Sequence, residues 1–181
     1  AMLSLQRRHV DHEVARRALD DASARLALIG RISRALYDPS GRGQDIRAFL
    51  LPLTADILDA SGRNDVRAEV SAPEALILAS DVTVPLALVV AESVSNAIEH
   101  GLPDRPGTIH ITLESDEGEL TLRVMDDGKG VPLGFDASAG QSLGLRIANA
   151  LAMQLGGRFA IHPRATGGTI ARLDLPLAAT C

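Results

Sequence analysis

Glu92, Asn96 and His100 fall at i, i+4 and i+8 in a segment that is otherwise apolar through Leu86, Leu88, Val89, Val90 and Ile98. On a helix that spacing puts a carboxylate, an amide and an imidazole on one stripe. Such a row can hold a hydrated cation, because Mg²⁺ keeps most of its waters and takes only one or two protein oxygens; a solvent-facing polar stripe has the same spacing. A second cluster, Asp126-Asp127-Gly128-Lys129-Gly130, follows a β-like run ending at Met125. Two acids at a strand mouth repel a pyrophosphate and Pro132 prevents an immediate helix, so Gly128, Gly130 and Gly134 make a poor dinucleotide fingerprint. An Asp there can instead accept a hydrogen bond from an exocyclic amine such as that of adenine, with glycines letting a flat base approach the backbone. A plain turn after an edge strand is the simpler alternative.

Gly140-Gln141-Ser142-Leu143-Gly144 has the pattern of a hydrolase nucleophile elbow. The elbow needs a strand just before its Ser, whereas Phe135 to Ala139 reads as loop, and the order of acid then His is missing because His162 precedes Asp174. Read as a loop running into a helix N-terminus, the same residues offer free N–H groups and the positive end of a dipole to a phosphate. His9 and His12, three apart beside Asp11 and Glu13, could form a surface metal site or lie solvated at the start of a helix. His110 and His162 stand alone in strand patterns.

These clusters need elements to position them. Leu19, Ala22, Leu26, Ile29 and Leu36 give an apolar stripe on a helix over about 13–37. Asp38-Pro39-Ser40-Gly41 breaks it, and Ile46, Phe49, Leu50, Leu53 and Ile57 form a second stripe in which Pro52 predicts a kink. The pair reads as an antiparallel hairpin at residues 1–62, too small a core to stand alone. It either dimerises as a four-helix bundle or covers the following sheet. From Asn64 the pattern gives β-like runs at Val66–Val70 and Ala75–Leu78, then a helix capped by Asp81 and ended by Gly101. A hairpin of Thr108–Glu114 and Glu119–Met125, a helix at about 143–155 and strands at 158–162 and 169–175 complete an α+β sandwich over 63–181, with helices on one face of a mixed sheet.

Composition narrows the classes. The 181 residues are 46% hydrophobic and 23% charged, enough for an ordinary core. A net charge of −5 with 2% aromatics argues against nucleic-acid binding, which draws on basic patches and stacking platforms. Residues 1–50 are net positive and the remainder net negative, which suggests two modules. The only Lys, Lys129, is followed by Gly130, so a Walker-type phosphate loop is absent. The single Cys181 excludes an internal disulfide and a Cys-based zinc site, and suits a reducing cytoplasm. No apolar run approaches the roughly 18 residues that span a bilayer, and Ala1 to Leu5 does not read as a secretion signal.

In series, Glu92-Ser93-Val94-Ser95-Asn96, Asp126-Asp127-Gly128-Lys129-Gly130, Ser142-Leu143-Gly144-Leu145 and Gly167-Gly168-Thr169 resemble the ATP-binding domain of sensor histidine kinases, of the Bergerat (GHKL) fold shared with gyrase, Hsp90 and MutL. The match spans about 64–177, and Ala22–Tyr37 with Asp45–Leu58 resembles the later part of the dimerisation and phosphotransfer region of the HWE and HisKA_2 subfamilies. The resemblance implies Mg·ATP as cofactor, held with Asn96 on the metal and Glu92 beside it as a polarising or basic group. It implies Asp126 on the adenine amine with Thr169 in support, Gly128 and Gly130 shaping the base pocket, and His100 near the nucleotide. Gly140, Ser142, Leu143, Gly144 and Leu145 would form the end of a lid over the phosphates. The implied partners are a second copy through the N-terminal helices and a response-regulator receiver domain.

Two departures from the family pattern stand out. Glu99 sits where many members have Lys or Arg, so Arg146 or Lys129 would have to supply that phosphate contact. The family's acceptor histidine lies before the point where the match begins, and His9 and His12 align with the turn between the helices, which implies an ATP site without a substrate histidine in this chain. Asn96 to Gly101, Glu99 included, also resembles anti-sigma-factor serine kinases of the same fold, against which stand the hairpin and the closing Gly167-Gly168-Thr169 strand. A dimeric module that binds a response regulator without using ATP is the non-enzyme alternative.

Overall fold

A computed structural model describes residue 30 and residues 43–116, 118–135 and 143–176. The chain divides into two compact units, Ala1–Pro39 and Ser40–Cys181. The first helical stripe at 13–37, His9, His12 and the turn at 38–41 lie outside the described residues, apart from residue 30, which is helical.

The second unit opens with β1 (Gln44–Asp45), which pairs antiparallel with β3 (Ile77–Leu78) in a two-residue ribbon. Helix α1 (Ile46–Ser61) starts where the Asp45 carboxylate accepts from the N–H groups of Arg47 at 3.0 Å and Ala48 at 3.2 Å. It ends at Gly62, whose φ of 68° is the left-handed turn that closes a helix. Ile46, Phe49, Leu50 and Leu53 of the expected stripe are buried, and α1 packs on β2 (Val66–Ser71) and on the next helix. The compact unit therefore begins at Ser40 rather than after residue 62, because this stripe finds its partners in the sheet and its covering helix. Asp45→Ala should lower stability by about 1 kcal/mol through the lost cap, or about 2–4 °C in a thermal melt of a chain this size.

Helix α2 (Ser80–Asn96) continues into a π-helical turn, Ala97–Gly101. Ala79, not Asp81, occupies the cap position, and no side chain bonds there; Asp81 lies in the first turn, where its charge faces the positive end of the helix dipole. The Thr83 hydroxyl instead donates to the Ala79 carbonyl at 2.9 Å and the Leu78 carbonyl at 3.2 Å. Residues 86–94 of α2 are all buried, as a helix apolar on every side must be. By length and composition the continuous helix Ser80–Gly101 could cross a bilayer, longer than any uninterrupted apolar run in the sequence; 72% of its apolar stretch is packed inside this fold as a core helix.

Strands β4 (Gly107–Asp116) and β5 (Glu119–Asp126) form the expected hairpin. Helix α3 (Leu143–Gln154), β6 (Arg158–Pro163) and β7 (Thr169–Pro176) follow. The five-stranded sheet has the order β2-β4-β5-β7-β6, with β2 parallel to β4 and every other pair antiparallel. One face carries Ile109, Ile111, Leu113, Leu120, Leu122, Val124, Ala171, Leu173 and Leu175, all buried. Helices α2 and α3 pack on each other, α2 also against β5, and α3 against β6 and β7. The opposite face is polar and half-exposed: His110 faces Glu69 at 3.2 Å, Arg123 pairs with Glu114 at 2.8 Å, and the Thr121 hydroxyl donates to Asp174 at 2.9 Å. The mixed sheet with helices on one face is the architecture the sequence led us to expect.

Candidate functional site

Strand alternation builds the site's floor. Val124 of β5 pairs with Ala171 of β7, which pairs with Ile161 of β6, and this row lines a cavity of about 440 Å³ at the carboxyl end of β5. Asp126 is two residues beyond Val124, so it occupies the same inward face just where the strand ends. It is only 4% exposed. Its Oδ1 accepts from the Gly128 N–H at 2.8 Å, and the Thr169 hydroxyl and amide also donate to it. Burial pushes the Asp126 carboxyl above the usual carboxylate range, while the bonds from Gly128 and Thr169 and the charge of Arg164 pull it back. Asp127, the other half of the acid pair, faces away: its Oδ1 accepts from the Thr108 N–H at 3.0 Å and it lines no part of the cavity.

Glycines bring the walls close. A Cβ on Gly101 would stand 2.9 Å from Asp126 Oδ1, and one on Gly128 would overlap the Gly101 carbonyl. The Lys129 N–H donates to that same carbonyl at 2.9 Å, which ties the loop after β5 to the end of the π-helical turn. Gly130 adopts φ 77° with its Cα against the Gly168 carbonyl. Gly130 and Lys129 line the cavity, whereas Gly128, expected beside them, does not and packs against the Gly101 carbonyl instead.

On the helix side Ser93, Asn96, Ala97, His100 and Gly101 line the cavity. The π-helical turn adds a residue to the last turn, so His100 reaches the cavity as an exposed rim residue rather than by continuing an ideal stripe. Glu92 lies one turn before Asn96, is 6% exposed, and does not line the cavity. The expected trio is therefore divided: Asn96 and His100 at the cavity, Glu92 in the core behind them.

Of the residues expected at the end of a lid, Leu145 is buried and lines the cavity, Gly144 is buried beside it, and Leu143 is exposed. Gly140, Gln141 and Ser142 lie outside the described residues. Thr169 lines the wall opposite Asn96's helix, and Arg146 is exposed on α3 away from the lining. The sequence reading missed the floor and Phe135. Counting two residues back from Asp126 and two forward from Thr169 would have found Val124 and Ala171; Phe135 and Ile161 carry no local signal.

The chemistry is that of an apolar slot with one buried carboxylate at its end and polar groups, Asn96, His100 and Lys129, along its opening. A flat heterocycle with an exocyclic amine fits such a slot, the carboxylate taking the amine's hydrogen bond. Among the described residues no three His, Cys, Asp or Glu side chains come together as a metal cage.

The profile of the histidine kinase-, DNA gyrase B- and HSP90-like ATPases matches residues 81–179, and the chain belongs to that family. Among its relatives is the sensor histidine kinase PdtaS of Mycolicibacterium smegmatis, 31% identical over 98% of this chain and 36% of that protein. Another is blue-light-activated histidine kinase 2 of Erythrobacter litoralis, 29% identical over 97% of this chain and 44% of that one. Of solved structures, the histidine kinase domain of the E. litoralis EL346 blue-light-activated kinase superposes with a TM-score of 0.71 at 26% identity, covering 88% of this chain and 74% of that one. The chain spans less than half the length of these two relatives.

Proposed function

We propose that this chain is the ATP-binding catalytic portion of a cytoplasmic two-component sensor histidine kinase of the HWE/HisKA_2 type. It binds Mg·ATP, passes the γ-phosphoryl group to a histidine outside that portion, and so feeds the receiver domain of a response regulator. The observation that carries the reading is the buried Asp126 at the closed end of the slot, held by Gly128 and Thr169. Homodimerisation through the N-terminal helices belongs to the same reading, and Leu51, 48% exposed on α1, offers an apolar position for it.

In this reading Asp126 takes the adenine amine, Gly130 lets the base lie against the backbone while Gly128 holds the Asp126 carboxylate in place, and Leu145 covers the base. Asn96 would hold the metal through its amide oxygen, with Lys129, which lines the cavity, toward the phosphates in place of the residue that Glu99 displaces. When bound, Mg²⁺ neutralises charge on the phosphates during transfer. Glu92 acts from behind Asn96, orienting or polarising it. The rest is positioning: the chain holds ATP in line for attack by an imidazole nitrogen, a nitrogen–phosphorus bond forms as the bond from the γ-phosphorus to the bridging oxygen breaks, and ADP leaves.

Calorimetric titration of ATP with and without Mg²⁺ tests this. The unaltered chain should bind ATP, and more tightly with the metal. Asn96→Ala should remove the gain due to Mg²⁺, about tenfold or more for a lost charge-assisted contact, and leave metal-free binding nearly intact. No binding by the unaltered chain at millimolar ATP would overturn the proposal.

A further inference from the structure

The turn between β6 and β7 carries a side chain that no motif flagged. Arg164 Nη1 donates to the backbone carbonyl of Asp126 at 2.7 Å, across 38 residues of sequence. The Arg164 N–H donates to the Gly168 carbonyl at 3.0 Å, and the Gly167 N–H to the Arg164 carbonyl at 3.1 Å, so the turn that presents the guanidinium is itself fixed. The next residues complete the contact: Gly168 packs without a Cβ against the Asp126 carbonyl, and Thr169 donates to the Asp126 side chain.

We infer that Arg164 is a positioning residue for nucleotide recognition: it clamps the end of β5 to the β6–β7 turn, so that the Asp126 carboxylate is aimed into the slot. The inference rests on the nucleotide-binding reading above. A carboxylate desolvated at the end of an apolar slot tends to take up a proton, and a protonated carboxyl no longer accepts from an amine with full strength. Among the described residues the charged groups around Asp126 are few. Lys129 follows it in its own loop and lines the cavity, His100 comes from the π-helical turn at the rim, Asp127 turns away to the Thr108 N–H, and Arg164 comes from the β6–β7 turn. Of these, Arg164 bonds directly to the Asp126 residue, and its charge favours the ionised carboxyl.

The test is ADP binding by the whole chain, without metal, from about pH 8 down to the acid limit of the fold, for the unaltered protein, Arg164→Gln and Arg164→Lys. Comparing proteins at each pH cancels the titration of ADP itself. Binding should weaken as pH falls through the Asp126 transition. Arg164→Gln should bind about tenfold more weakly at neutral pH, as expected for one lost bond to a charged group, and its loss of binding should begin at higher pH because the neighbouring positive charge is gone. Arg164→Lys keeps the charge but ends one bond short of the Nη1 position, which lengthens the 2.7 Å bond; it should bind more weakly with the pH midpoint unchanged, and it carries the test if the neutral variant fails to fold. A uniform loss at every pH in Arg164→Gln, or unaltered affinity in Arg164→Lys, overturns the positioning role while leaving the nucleotide site standing. No ADP binding by the unaltered chain overturns the site and this inference with it.

Discussion

Asp126→Asn should reduce ATP affinity by about two orders of magnitude and, in the same protein, raise the melting temperature of the ligand-free state at neutral pH. The affinity loss follows from geometry. Asn can still accept from the Gly128 N–H through its one oxygen, but in the proposed pose its other position would be an NH₂ that meets the base's amine donor to donor. A buried site built to accept rejects such a mismatch by roughly 2–3 kcal/mol.

The stability gain follows from the sign of the shift. Asp126 has its carboxyl raised above the unfolded value, burial being the largest cause and outweighing the bonds from Gly128 and Thr169. The folded state therefore binds the proton more tightly than the unfolded state, and stability is gained as pH falls through the folded pKa toward the unfolded one. At neutral pH the ionised carboxylate is a net burden that the neutral amide relieves, less the cost of setting its NH₂ against the Thr169 donors; each 1 kcal/mol of net relief is worth about 2–4 °C. Scanning calorimetry of both proteins checks this, and the gap should narrow in acid, where the wild-type carboxyl is also neutral. A variant that binds ATP normally would remove Asp126 from base recognition. One that melts lower at neutral pH would make the carboxylate a structural ion.

Asp126 stood out in the sequence as an acid in a Gly-rich cluster closing a β-like run; strand alternation, which sets it and not Asp127 on the inward face, came only with the register of β5. The β4–β5 hairpin, α3 and the last two strands were legible from their periods of two or near four bounded by Gly and Asp. The π-helical turn was not, since one inserted residue leaves no trace in the spacing of Glu92, Asn96 and His100. Burial divided that trio, and burial is set by tertiary packing. Arg164 was invisible for a different reason: its partner is a backbone carbonyl 38 residues away, and a carbonyl has no sequence signature. The place of α1 was half-legible, because an apolar stripe says that a helix packs but not against what.

Gly168→Ala should damage the protein most. Gly168 has φ 89°, in the left-handed region, and a Cβ there would overlap the Asp126 carbonyl oxygen, stand 2.7 Å from that carbonyl carbon and 3.0 Å from the Cα of Asp127. Every atom in the way is backbone, so no rotamer change relieves it; the β6–β7 turn must move off the end of β5. That movement also pulls on the Arg164 bond to the Asp126 carbonyl and the Thr169 bonds to its side chain. Overpacking and backbone strain together should cost about 3 kcal/mol or more, a fall of about 6–12 °C in melting temperature, and the molecules that remain folded should bind ATP weakly. The comparison that isolates the cause is Gly167→Ala, one residue earlier in the same turn. Gly167 has φ 95°, and a Cβ there would have no atom within 4 Å, so it bears backbone strain alone, about 1 kcal/mol, and should keep its nucleotide affinity. Equal melting temperatures for the two variants would mean that the turn yields to the added methyl, and that contact with the Asp126 carbonyl does not fix the site.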